Sequence, residues 1–239
     1  MQKINYLLGY PHLKIYQNED WFKFSIDSVL LPNFVEIKKN TRKILDIGTG
    51  NAVIPILLST KTNAPILGIE IQKDVYELGK LSIEENKLED RIHLICEDIK
   101  EYTKKQESDC FDLITCNPPY FKIEEQSNIN EDIHKQYARH EILLNLDILM
   151  TCAKKLLKNG GSLAIVHRPE RLMEILLCAK EKNLEPKRIQ FVYPKRGKNA
   201  NIILLEFVKN GNAGLKIAEP LYIYNDQGEY TEEIKKKFS

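Results

Sequence analysis

The chain has 239 residues, with 35 Lys and Arg against 34 Asp and Glu, a net charge of +1. That length suits one large α/β domain or a domain with a small appendage, and the even charge balance means that a nucleic-acid partner needs a local basic patch rather than a global field. The five cysteines are odd in number and form no CxxC pair, which argues against a disulfide framework or a zinc site; with no apolar run long enough to cross a bilayer and no signal pattern, the expectation is a cytoplasmic protein without membrane or metal partners.

In chain order, Leu13-Lys14-Ile15-Tyr16 and Phe22-Lys23-Phe24 alternate like the arms of a hairpin that turns at residues 17–20. Ser25 is the expected N-cap of a helix carrying Val29, Leu30, Leu31, Phe34, Val35 and Ile37, with Pro32 marking a kink or a late start. Residues 1–42 are therefore expected to form a hairpin-and-helix lid over a main domain of residues 43–239. From Lys43 strands and helices alternate. Strands are expected at 43–47, 66–71, 92–96 and 111–116, with helices after the first two, at about 53–58 and 73–87. Residues 121–140 are polar and weakly periodic, a connection of the length that carries function or disorder. A helix over 141–158 stops at Asn159-Gly160-Gly161. A strand at 162–166, a helix at 170–182 and an antiparallel pair at 189–193 and 202–208 follow, with an edge strand near 221–224. Cys96 and Cys116, at strand ends, are expected as buried free thiols. The pattern specifies an α/β, Rossmann-like, doubly wound sheet, mostly parallel, seven-stranded, with one antiparallel strand.

The first strand runs into Asp46-Ile47-Gly48-Thr49-Gly50-Asn51-Ala52-Val53. A dinucleotide turn has a third glycine where Val53 stands, and its pyrophosphate disfavours a carboxylate just before the glycines. Asp46 instead attracts a cationic amine. S-adenosylmethionine has that amine, a sulfonium and no phosphates. Gly48 and Gly50 let the backbone approach the ligand without a Cβ. Glu70, ending the second strand, is placed to accept from both ribose hydroxyls in either cofactor class. Asp98, ending the third, is placed to accept from the adenine amine, although a carboxylate there also serves as a helix cap. The fourth strand ends in Asn117-Pro118-Pro119-Tyr120, an amide, a stiff backbone and an aromatic ring at the sheet edge where such folds bind ligands.

With these elements in order, residues 43–208 resemble a class I S-adenosylmethionine-dependent N-methyltransferase. The resemblance implies that the Asn117 side-chain carbonyl and the Pro118 backbone carbonyl accept from a target NH₂. It implies that Tyr120 stacks on the flat group bearing that amine, with Pro119 stiffening the turn. The segment 21–31, Arg139-His140-Glu141, the loop 193–198 and Pro220-Leu221-Tyr222 are similar to the bacterial subfamily that methylates the 6-amino group of an adenine in valine tRNA. In that subfamily the segment holding Phe24 and Asp27 closes over the cofactor's methionine end. Ala52 departs from it, standing where a glycine is more usual, and narrows the turn slightly. Lys195, Arg196 and Lys198 are candidate phosphate contacts, and Arg139 and His140 candidate contacts to the target nucleotide; a solvated loop and a helix-start hydrogen bond would account for them more plainly. Arg168 and Arg171 are secondary candidates. A protein-glutamine methyltransferase shares the tetrapeptide but normally carries a larger N-terminal helical domain. A DNA or ribosomal-RNA amino methyltransferase and a binding-only module with a degenerate site also compete. A tRNA substrate offers an exposed loop base that a small domain can read.

Overall fold

A computed structural model describes residues 2–7, 9–18, 26–118 and 144–237. The expected hairpin arm at 22–24, the Ser25 cap, Pro119, Tyr120, Arg139, His140 and the connection 121–140 lie outside the described residues.

The N-terminal hairpin is built differently from the expectation. β1 (Gln2–Leu7) pairs antiparallel with β2 (Tyr10–Asn18), so Lys14–Tyr16 find their partners upstream, and Gln17 and Asn18 extend the strand rather than turn. Gly9 takes the tight turn with φ of 78°. α1 (Asp27–Phe34) follows. It contains Pro32 in its interior and has Ile26 at its N-cap position without a side-chain cap.

The main sheet alternates with helices: β3 (Ile44–Ile47), α2 (Val53–Ser59), β4 (Ile66–Glu70), α3 (Lys73–Glu85), β5 (Ile92–Cys96), α4 (Ile99–Lys105) and β6 (Phe111–Cys116). After the undescribed connection come α5 (Leu146–Leu156), β7 (Leu157–His167), a 3₁₀ turn at Pro169–Arg171, α6 (Leu172–Glu181), β8 (Leu184–Tyr193) and β9 (Ile202–Lys209). The short strands β10 (Lys216–Ile217) and β11 (Leu221–Tyr222) and the helix α7 (Glu232–Lys237) close the described chain. The seven long strands order as β8-β9-β7-β6-β3-β4-β5, and β9 alone runs against the rest. This is the expected seven-stranded arrangement; β10 and β11 add two-residue pieces alongside β8.

Adjacent strand residues point to opposite faces, which builds two cores. Ile44, Leu113, Ala164 and Leu204 face α1, α2 and the hairpin residues Leu13 and Ile15. Leu45, Ile114, Ile165 and Leu205 face α4, α5 and α6. The hairpin is also fastened to α3 by polar groups. Asn86 accepts from Lys14 N at 3.0 Å and donates to Lys14 O at 2.6 Å, while Ser82 Oγ accepts from Tyr16 N at 2.9 Å. These side chains satisfy a strand edge that would otherwise be open.

Three local expectations are corrected. α5 ends at Leu156, and Asn159-Gly160-Gly161 lie within β7, where the β6–β7 register shifts, instead of capping the helix. α4, a short helix that the apolar periodicity does not mark, fills the connection after Asp98. Cys96 is exposed because β5 is the outermost strand on its side, whereas Cys116, in the interior β6, is buried.

Candidate functional site

The carboxyl ends of β3, β4, β5, β6 and β7 lie along one edge, and the candidate residues stand there by register. Ile47 pairs with Cys116, so Gly48 and Asn117 leave neighbouring strands side by side. Gly48 and Gly50 both adopt left-handed φ, 67° and 58°, a region that disfavours a Cβ. The turn is tied to β4: Gly48 N and Thr49 N donate to Ile69 O. A Cβ on Gly50 would meet nothing within 4 Å, so that face of the turn opens outward. Glu70 stands beneath it, accepting from Gly50 N at 3.0 Å through one oxygen and from Gln72 N at 2.9 Å through the other. A carboxylate has further lone pairs for ribose hydroxyls. Ala52 also sits in the left-handed region, φ 67° and ψ 25°, at the N-cap of α2. Its side chain is wholly buried, so the turn closes on a methyl group.

Asp46 is fully buried, and its register partner across the sheet is Thr115, whose hydroxyl donates to Asp46 Oδ1 at 2.6 Å. Asp46 Oδ2 has no hydrogen-bond partner among the described residues. Burial pushes its carboxyl up to about 7, against the pull of the Thr115 hydrogen bond and a weaker pull from Thr49, with Glu70 adding to the rise. An orphaned carboxylate oxygen beside a glycine turn fits a cationic amine and repels a phosphate.

Asp98 serves in part as a helix cap. Its Oδ1 accepts from Lys100 N at 2.8 Å to cap α4, and its Oδ2 lies 3.3 Å from Lys100 Nζ. Asp27, in the first turn of α1, is buried. Asn117 Nδ2 donates to Ser28 Oγ at 3.0 Å, bringing α1 to the tetrapeptide.

A small cleft beside Pro118 is lined by Leu144, Leu146, Leu149, His167 and Arg171. His167, the last residue of β7, is buried, and its Nδ1 accepts from Arg168 N at 2.8 Å. Burial, reinforced by Arg171, lowers its pKa to about 4, so the ring is neutral near pH 7 with its proton on Nε2. Arg171 pairs with Glu174 in the two-pronged manner, at 2.8 and 2.6 Å. The loop 194–201 joins β8 to β9, and His167 pairs with Ile203, so its basic tip stands at this same edge. Arg168 Nη1 donates to Asn201 O at 2.8 Å and ties the tip to the end of β7. Lys195, Arg196 and Lys198 lie on the connection between β8 and β9, which stand three and two strands from the β6 that ends at Asn117, roughly 10–15 Å across at normal strand spacing. Arg196 stacks over the Tyr222 ring at 5.6 Å.

Ser28, Thr115, His167 and Gly79 also stand at this edge, and none is among the residues expected from sequence. Thr115 carries a usable signal, a polar residue inside an apolar strand at the height of Asp46. Gly79 explains how α3 closes on the glycine turn: a Cβ there would lie 3.0 Å from Gly50 O and 2.8 Å from Leu94 Cδ1.

Residues 38–211 match the methyltransferase domain family. The chain belongs to that family. Its cofactor is S-adenosylmethionine, and the orphaned Asp46 oxygen, the open turn at Gly50 and the Glu70 carboxylate suit it. Among curated relatives, the chain is 28% identical over 203 residues to a tRNA1(Val) (adenine(37)-N6)-methyltransferase of Phocaeicola vulgatus, covering 85% of this chain and 84% of the relative. It is 28% identical to the enzyme of the same name from Flavobacterium johnsoniae over 228 residues, 95% of each chain. Among solved structures, a protein of Agrobacterium tumefaciens described as a predicted O-methyltransferase superposes with a TM-score of 0.72 at 18% identity, covering 89% of this chain and 95% of that one. The geranyl diphosphate C-methyltransferase of Streptomyces coelicolor superposes at 0.57 with 10% identity, covering 76% and 79%. These two likenesses are of fold. Among the described residues no helix is long and apolar enough to cross a membrane, and no cluster of His, Cys, Asp and Glu has the arrangement of a metal site.

Proposed function

We propose that this methyltransferase acts on the 6-amino group of an adenine in tRNA, the anticodon-loop adenine 37 of a valine tRNA. The observation that carries the proposal is the placement of Asn117 and Pro118 directly beside the glycine turn, set by the in-register pairing of β6 with β3. The names of the relatives, which span nearly the same length, support adenine in tRNA as the bearer of that amine.

Asp46 holds the cofactor's amine, Glu70 its ribose, and Asp98 its adenine amine through lone pairs left over from the α4 cap. Asp27 and Phe24 close the methionine end. The cofactor supplies an electrophilic methyl on sulfur. Asn117 Oδ1 and the Pro118 carbonyl each accept one hydrogen of the target NH₂, which aims the nitrogen lone pair along the crevice. Tyr120 stacks on the flipped base. No strong base is needed, because the nitrogen becomes acidic as it is methylated and releases its proton to water. The side chains therefore act by positioning. Lys195, Arg196 and Lys198 bear on the RNA backbone, with Arg139 and His140 nearer the target nucleotide.

The test is transfer of labelled methyl from S-adenosylmethionine to total tRNA, genomic DNA and protein extract, followed by nucleoside analysis. Label in tRNA as 6-methyladenosine, cut to a small residue by Asn117→Ala while the cofactor still binds, is the expected result. Label in protein alone would replace the RNA substrate with a glutamine side chain.

A further inference from the structure

We infer that Ser28 is a positioning residue that holds the Asn117 carboxamide in its working orientation; this deepens the proposed role of Asn117 and rests on it. An Asn side chain ends in two groups of opposite hydrogen-bonding sense, and rotation about its last torsion is soft. With Oδ1 toward the target amine it accepts a proton. Turned over, it opposes N–H to N–H. Something outside Asn117 must therefore take its NH₂ end.

Ser28 does so. Its Oγ accepts from Asn117 Nδ2 at 3.0 Å, across 89 positions of chain. Ser28 is buried, so water competes poorly for this contact. It is also rigidly mounted. Val29, Leu30 and Leu31, the next residues of α1, are almost wholly buried in the core. Lys61 Nζ donates to Pro32 O at 2.7 Å, and Arg188 Nη2 donates to Phe34 O at 2.6 Å, fastening the far end of the helix. Asn117 follows β6, which Thr115 ties to Asp46. The amide thus spans two anchored elements, with Nδ2 taken by α1 and Oδ1 at the other end of the group. The N-terminal helix contributes to catalysis through this contact without touching the reacting atoms.

Ser28→Ala is expected to lower kcat about tenfold, near 1.4 kcal/mol, the effect of one hydrogen bond to a positioned amide. The KM for tRNA and the cofactor Kd are expected to stay unchanged. Ser28→Thr, which keeps the hydroxyl, should recover most of the loss. In an Asn117→Ala background, Ser28→Ala should cause no further loss. A readout independent of turnover is the Asn117 side-chain NH₂ pair in ¹⁵N NMR, identified by its absence in Asn117→Ala. In Ser28→Ala it should shift and exchange faster with water. Wild-type turnover and an unmoved NH₂ pair in Ser28→Ala, with Asn117→Ala reduced to a small measurable turnover, would overturn the role of Ser28 alone. Equal losses in both backgrounds would also overturn it, by showing a general structural effect. Full turnover by Asn117→Ala would overturn the role of Asn117 and the inference with it.

Discussion

Asp46 gives the sharpest test of the cofactor site. Its carboxyl is raised by burial from the ordinary 3.8 to about 7. In the ligand-free protein, ionising it therefore opposes folding. Between these values the folded chain binds a proton that the unfolded chain has released, so Asp46 lowers stability as pH rises through that window. At 1.36 kcal/mol per pKa unit the cost above pH 7 is about 4 kcal/mol. A cationic amine needs the ionised carboxylate, whose Oδ2 is without a partner among the described residues. Cofactor affinity should thus rise with pH as Asp46 ionises, from about 3% ionised at pH 5.5 to about half at pH 7.0, a gain of roughly 15-fold in Kd. The rise ends where an α-amino group loses its own proton, at about 7.7–8.0. Calorimetric titration in buffers of different ionisation enthalpy should detect release of a proton on binding below pH 7. Asp46→Asn should weaken binding about 10- to 100-fold, abolish the slope, and leave the ligand-free protein more stable at pH 8. A wild-type Kd that stays level between pH 5.5 and 7.0, or a slope that survives in Asp46→Asn, would refute the assignment.

Three further outcomes are expected. His167, lowered by burial from 6.5 to about 4, should cost about 3 kcal/mol as pH falls across that window, because the unfolded chain takes up a proton that the folded chain refuses; in urea titrations at pH 7 and 4.5, His167→Gln should lose less stability on acidification than wild type, and an identical loss would count against it. Ala52→Gly should stay within about 1 kcal/mol, since relief of the left-handed backbone offsets chain entropy and a lost buried methyl, while Ala52→Val, β-branched at φ of 67°, should cost about 2 kcal/mol or more by thermal unfolding; equal tolerance of both would contradict that geometry. Arg188→Ala should cost about 2–3 kcal/mol, because Arg188 bonds Glu36, Glu206 and Phe34 O and stacks on the Phe34 ring, and Arg188→Lys should recover only part of that cost in denaturant titrations; full recovery by Lys would show that charge alone mattered.

The sheet and much of the cofactor side were legible in the sequence because their signals are local. Interior strands such as Ile44 to Ile47 and Phe111 to Cys116 are short, mostly apolar runs, and Gly48, Gly50 and Asn117-Pro118 punctuate them at one edge. Tertiary structure decided what depends on distant partners. Leu13 to Tyr16 have the same alternation whichever segment pairs with them, and only packing on α3 selects residues 2–7. Asn159-Gly160-Gly161 have the composition of a helix stop, yet they lie inside β7, in the register shift between its pairings of Leu157 and Ser162 with β6. The thiols of Cys96 and Cys116 both end strands, and only strand order sets one at the rim and the other inside. Asp98 is competent to cap a helix, but a carboxylate at a strand end is the same residue whether it meets a ligand or a helix. The contact between Ser28 and Asn117 has no periodicity to betray it, since it joins groups 89 positions apart through the packing of α1 against a sheet that must already be formed.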